Sequence, residues 1–326
     1  HLITSNIIYV RDYGIITNNS TIKAAIQNGN AFYNAVLDSS DGDTIMILPN
    51  ETIYYIPKND SYGFQDLHNI VICIDGKILL HNNTSVWPKD DKGIYYNAIE
   101  ILNSDNITIT GNGIIDGQGY TWWKEFYKGN IIRQRPTIIN IIESTNILIE
   151  NLTLNNSPRF NIYADNVLHF TVRNMIIWID IFQQHRITGK TPMFPFNTDG
   201  VDVKGKYIHI HNMTISNYDD SVAIKPDYDH NKYLNGENMN CSENVLVENI
   251  NILFGAGLSI GSVPSSKKYC VQNVTFQNIY AKNPLKFIYI KTEKGSKNIS
   301  SIKNITYRNM TATKPVLWPI YIGPQQ

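Results

Sequence analysis

The chain of 326 residues has few cysteines, no net charge and no long apolar run, and each absence excludes something. Three cysteines (Cys73, Cys241 and Cys270) are too few for a disulfide framework. One bridge remains, and Cys241–Cys270 is the expected pair. Cys73, inside the apolar run Ile70–Ile74, reads as a buried thiol. Basic and acidic side chains balance at 28 each, so the bulk charge points to neither nucleic acid nor a membrane surface. No apolar stretch reaches the roughly 20 residues of a spanning helix, so membrane insertion is not expected. The chain opens on His1 rather than Met, which reads as a trimmed, mature form. About fifteen Asn-x-Ser/Thr sequons are present, among them Asn50, Asn59, Asn106, Asn151, Asn212, Asn240, Asn273, Asn304 and Asn309. Together these features predict a secreted, monomeric protein carrying N-linked glycans.

The first segment differs from the rest. Ile22, Ala25, Ile26, Phe32 and Val36 recur at helical spacing behind Ser20 and Thr21, which are suited to cap a helix. Gly29 weakens that helix. Asp43–Leu48 then reads as a strand, and residues 1–60 are expected to form the N-terminal cap and first coils of a solenoid.

From about residue 98 onward, short runs of alternating Ile, Val, Leu and Thr recur, each broken by Asn or Gly. Asn146-Ile-Leu-Ile-Glu-Asn-Leu-Thr-Leu and Asn244-Val-Leu-Val-Glu-Asn-Ile-Asn-Ile are examples. Each reads as strand, bend, strand. Asn tolerates left-handed backbone geometry, and its amide can bond to the neighbouring turn. The bend asparagines Asn151, Asn174, Asn212, Asn249, Asn278 and Asn309 lie 23 to 38 residues apart. A variable period around a constant strand core suits one coil per repeat with loops inserted between strands. The predicted architecture is an all-β, single-domain parallel β-helix. The tail Trp318-Pro-Ile-Tyr-Ile-Gly is expected to add a final strand or cover the last coil.

Three acids stand out. Asp199 lies in Asn197-Thr-Asp-Gly, and Asp219-Asp220 follow 20 residues later, close to one coil. Equivalent positions on adjacent coils stack about 4.8 Å apart, so the carboxylates should converge. In a regular strand Asp219 and Asp220 point to opposite faces, so both reach one cleft only at a bend. Clustered carboxylates raise at least one pKa and set a proton donor beside an ionised base. Calcium ligation and ordinary turn aspartates use the same residues. Trp122 and Trp123 are expected to pack under the first coils rather than to stack on sugars. Lys225 either lines the cleft or is a solvated strand lysine. His209 and His211 alternate along a strand and share a face, with no third metal ligand evident.

The ordered surroundings of these acids narrow the choice. Gly111-Asn-Gly-Ile-Ile-Asp-Gly-Gln-Gly-Tyr-Thr-Trp-Trp, Arg135-Pro-Thr, Asn156-Ser-Pro-Arg-Phe, Asn197-Thr-Asp-Gly, Asp219-Asp220, Gly257-Leu-Ser-Ile-Gly-Ser and Ile290-Lys291 follow in sequence. Over residues 98–310 this set resembles glycoside hydrolase family 28, the polygalacturonases. The resemblance implies a right-handed β-helix, no cofactor and no metal, a polysaccharide substrate (pectin-like or another acidic glycan) and inverting acid/base hydrolysis. It makes Asp219 the general acid, gives Asp199 and Asp220 the attacking water, pairs Lys291 with a substrate carboxylate and has Asn197 orient the site. Two positions depart. The family's Gly-His-Gly is Gly255-Ala256-Gly257 here, and its Arg-Ile-Lys is Tyr289-Ile290-Lys291. Tyr cannot supply a bidentate cationic fork. The expectation is a divergent branch in which Tyr289 stacks on or hydrogen-bonds a sugar and Tyr218, His185 or His230 replaces the lost contact. A degenerate carbohydrate-binding protein and a structural or adhesion module are the alternatives.

Overall fold

The structure, a computed structural model, describes residues 5–59, 63–132, 134–188, 194–228, 230–293 and 299–324. The alternating runs form parallel strands that pair with the next coil in near-continuous register. On one face Ile99, Ile139, Ile162, Val201, Val222, Leu258, Ile288 and Ile320 stack in a single file. A second file runs Ile70, Ile107, Ile147, Phe170, Ile208, Val245, Val274 and Ile305. A third runs Ile78, Ile115, Leu154, Ile177, Ile215, Ile252, Ala281 and Ala312. Three curled faces of parallel strands around one apolar interior make the expected right-handed β-helix. Up to Phe287 the inward files belong to one buried apolar cluster that begins at Val10, with Ile288, Ile305 and Ala312 packed against it, whereas Ile320 on the last coil is exposed.

Asparagine makes the bends. Asn151, Asn174, Asn212, Asn249, Asn278 and Asn309 all have φ between 52° and 65°. Each later rung donates from Nδ2 to the Oδ1 of the one before, at 3.0–3.3 Å. The ladder supplies on the outside of the coil what the stacked isoleucines supply inside.

Helix α1 (Ile22–Leu37) lies at the N-terminal end, with Thr21 Oγ1 accepting from the Ala24 N–H. Its inward stripe is Ala25, Phe32 and Val36 with Ala24, Ala31 and Ala35, whereas Ile22 and Ile26 are 37% and 43% exposed. Gly29 has a packing reason, since a Cβ there would fall 1.8 Å from the Ile56 carbonyl oxygen. Trp122 and Trp123 are buried in α2 (Tyr120–Tyr127), as expected. Cys241 and Cys270 are bonded, also as expected. Cys73 corrects the buried-thiol reading: in strand His68–Ile74 the inward positions are Ile70, Ile72 and Ile74, and the alternation turns Cys73 to a half-buried outer position beside Asp75. The tail forms the strand Ile320–Pro324. Between Trp178 and Asn197, Ile181–Thr188 is helical (α3), and residues 189–193 lie outside the described residues.

Candidate active site

The three acids sit where the chain turns into the first-face strands. Val201 pairs with Val222, a coil of 21 residues, so the position equivalent to Asp199 is Asp220, not Asp219. The segment 217–220 is a bend rather than a strand, which releases both aspartates to the same side. One carboxylate oxygen from each of Asp199, Asp219 and Asp220 lies within 4.8 Å of the others. Asp199 and Asp220 are buried, and Asp219 is half-buried.

Backbone groups hold the acids in place. Asp219 Oδ2 accepts from the Asn197 N–H at 3.0 Å, and Asp219 Oδ1 accepts from the Asp220 N–H at 3.0 Å. Asn197 offers that N–H from a left-handed conformation, φ 59°. The buried Asn217 side chain reaches three carbonyls with Nδ2: Thr198 at 3.0 Å, Asp219 at 3.0 Å and Asp220 at 2.8 Å. Its Oδ1 accepts from Ser221 Oγ at 3.0 Å. Gly255 leaves room for this knot, because a Cβ there would come within 2.3 Å of Asn217 Oδ1. Ala256, at the family's histidine position, donates its N–H to the Asp219 carbonyl at 2.8 Å.

Burial, reinforced by Asp202 and Asp219, pushes the Asp199 carboxyl well above the ordinary carboxylate range. Burial and the Asp220 charge push Asp219 up as well. Two lysines offset the negative charge. Lys225 Nζ lies 2.9 Å from Asp202, and Lys291 Nζ bonds Asp220. Burial alone would lower the Lys291 ammonium, but Asp220 outweighs it and holds the pKa above the ordinary value. The same trio of carboxylates is the one cluster of metal-ligating type found among the described residues.

The other expected contacts fall out unevenly. Tyr289 is 4% exposed, with Lys286 Nζ 3.9 Å over its ring and Tyr321 against its edge, contrary to the open sugar platform expected of it. Tyr218 packs between Phe194 and Phe254. His185 is exposed on α3. His230 instead bonds Asp227 at 3.1 Å, beside a separate cavity. His209 and His211 share a face, as expected, with rings 4.1 Å apart and His209 bonded to Glu248. Sequence reasoning missed Asp202, Asn217 and the cationic character of Arg135 and Arg159. Both arginines line a cavity that borders Asn197, and Arg135 Nη2 donates to Asn197 Oδ1 at 3.2 Å. Burial draws the Arg135 pKa down to about 10. Both arginines lie within quoted landmarks, but neither landmark indicated where its side chain would point.

Known proteins agree with this architecture. The family model "Glycosyl hydrolases family 28" matches residues 52–325. A "Probable endo-xylogalacturonan hydrolase A" from Aspergillus flavus is 30% identical over 86% of this chain and 63% of its own length. "Endo-xylogalacturonan hydrolase A" from Aspergillus tubingensis is 26% identical over 86% and 63%. The chain thus spans a little under two thirds of the curated relatives it matches. Among solved structures, the Erwinia carotovora polygalacturonase has TM-score 0.72 at 19% identity, covering 98% of this chain and 81% of that one. The endo-xylogalacturonan hydrolase of Aspergillus tubingensis has TM-score 0.73 at 23% identity, covering 94% and 74%. With the family model matched along most of its length, the chain belongs to the glycosyl hydrolases of family 28.

Proposed function

We propose that this chain hydrolyses glycosidic bonds in an acidic, pectin-like polysaccharide by acid/base catalysis. The observation that carries the reading is the convergence of Asp199, Asp219 and Asp220. Asp219, half-open and with a raised pKa, gives its proton to the leaving glycosidic oxygen as the bond to the anomeric carbon breaks. Water adds to that carbon from the other side, oriented by Asp199, and its proton passes to Asp220. Lys291 balances the charge on Asp220 rather than lying open to substrate. The half-buried Arg159 at the Asn197 cavity, with Arg135 buried behind it, supplies the counter-charge for a uronate that Tyr289 cannot provide. Extracellular placement, N-linked glycans and a monomeric state belong to the same reading, with the Cys241–Cys270 bond in support of the first.

Inversion is what the family resemblance implies. Three carboxylates with oxygens within 4.8 Å of one another can share one water, as that course requires. Proton NMR of the first-formed anomer separates inversion from retention. A non-cutting carbohydrate binder is the second reading, favoured by Ala256 where the family has histidine beside the acid.

The test is reducing-end release from polygalacturonate, xylogalacturonan and neutral glycans, with Asp219→Asn as control. Release is expected from an acidic glycan, lost by at least about 100-fold in the variant. Weak use of unbranched polygalacturonate is expected from the absent cationic fork. Turnover retained in Asp219→Asn, or no release with binding intact, overturns the hydrolytic assignment.

A further inference from the structure

The corner that carries the acids continues along the axis of the β-helix. Val201, Val222, Leu258, Ile288 and Ile320 stack in one file, and the residues two places before them are Asp199, Asp220, Ala256, Lys286 and Trp318. With neighbouring strands about 4.8 Å apart, Lys286 stands two coils, roughly 10 Å, beyond Asp220, and Trp318 one coil further. The half-buried Ala256 lies between, with only a methyl group to fill the corner. A sugar ring next to the scissile bond therefore meets no large side chain there before the cation is reached.

Lys286 is a cation that no acid takes up. Lys291 is bound to Asp220 and Lys225 to Asp202, whereas Lys286 has no acidic partner among the described residues. Its ammonium sits over aromatic rings instead, 3.9 Å from the centroid of Tyr289, 5.6 Å from Tyr321 and 6.0 Å from Trp318. Rings so placed fix the ammonium by electrostatic attraction and leave its charge uncompensated. Lys291 Nζ lies 5.0 Å from the same Tyr289 centroid, so the two ammonium groups are no more than about 9 Å apart. One ring thus links Lys286 to the lysine that holds Asp220. Lys286 is half-buried and Trp318 is 46% exposed, so both remain open to a ligand.

Resting on the hydrolase reading, we propose that Lys286 and Trp318 form a distal subsite. The Lys286 ammonium pairs with the carboxylate of a uronate, and the Trp318 ring packs against a sugar face. Tyr289 contributes by seating the lysine rather than by touching sugar. A lysine is a point charge and cannot make the bidentate contact of an arginine, so the subsite extends the grip on an acidic chain without restoring the family's fork.

The experiment is calorimetric titration of an oligogalacturonate long enough to reach from Asp220 to Trp318, and of the same oligomer with its carboxyls reduced to alcohols. The proteins are Asp219→Asn, which keeps the ligand from being cut, and the same protein with Lys286→Gln, Lys286→Arg, Trp318→Ala or Lys282→Gln added. Saturable binding of the oligogalacturonate is expected in the Asp219→Asn parent. Lys286→Gln should weaken it about tenfold, for one hydrogen bond between charged groups, and leave the reduced oligomer unchanged. Lys286→Arg should recover most of the loss. Trp318→Ala should weaken both oligomers about fivefold, because packing on a ring does not read charge. Lys282, exposed and outside the row, should change neither. Absence of saturable binding in the parent, equal binding by Lys286→Gln, an equal loss in Lys282→Gln, a loss in Lys286→Gln that extends to the reduced oligomer, or unchanged binding in Trp318→Ala overturns the proposal. Reducing-end release by the wild type is read separately. Its failure counts against the carboxylate reading, while the titrations alone decide the subsite.

Discussion

Asn217→Ala tests whether the turn that presents the acids is held by one side chain. The alanine removes the Nδ2 contacts to the Thr198, Asp219 and Asp220 carbonyls and the Oδ1 acceptor of Ser221. Two amide hydrogens and one accepted hydroxyl amount to three hydrogen bonds. At about 1 kcal/mol each the loss is roughly 3 kcal/mol, and more if buried carbonyls stay unsatisfied. For a chain of 326 residues with an unfolding entropy near 2.1 cal/mol/K per residue, that corresponds to a fall of about 4 °C in Tm. Activity should fall further than stability. Asp219 and Asp220 take their position from this bend, and a displacement of about 1 Å can cost on the order of 100-fold in rate. Thermal unfolding by circular dichroism and reducing-end release on the same protein give both numbers. A Tm within 1 °C of wild type (about a quarter of the expected shift) together with kcat within about twofold would refute the argument.

Other outcomes follow from the same geometry. Asp199 has its folded-state pKa raised by burial and neighbouring acids, so the native state retains a proton that the unfolded state has already lost. Stability therefore falls as pH rises from the unfolded value near 3.8 towards the raised folded value. Asp199→Asn should abolish activity yet raise Tm relative to wild type, with a gain that grows from pH 4 to pH 7; a gain independent of pH would contradict this. Cys241→Ser with Cys270→Ser opens a loop of 29 residues, for which chain entropy predicts a loss of roughly 3–4 kcal/mol. Urea unfolding measures it, and an unchanged midpoint would show that the neighbouring coils already hold the segment.

The repeat was legible because it is local. Period-two alternation marks strands, and asparagine at the bends announces a left-handed backbone whatever lies beside it. The acid cluster was legible in part, since a spacing near one coil brings Asp199 and Asp219-Asp220 to the same corner. Three features depended on neighbours distant in sequence. Strand pairing set the coil at 21 residues and matched Asp199 with Asp220. Lys286 and Tyr321, on this coil and the next, covered Tyr289. The alternation placed Cys73 outside, although an apolar run invited the opposite reading.

By itself, then, the sequence determined the β-helix, its asparagine bends and the identity of the three acids, because each is written in residue type and short-range spacing. Tertiary structure alone decided which lysine offsets which carboxylate, that Asn217 knots the turn, and that Tyr289 is covered. Those facts depend on the lengths of the loops between coils, and no residue type encodes where such a loop will land.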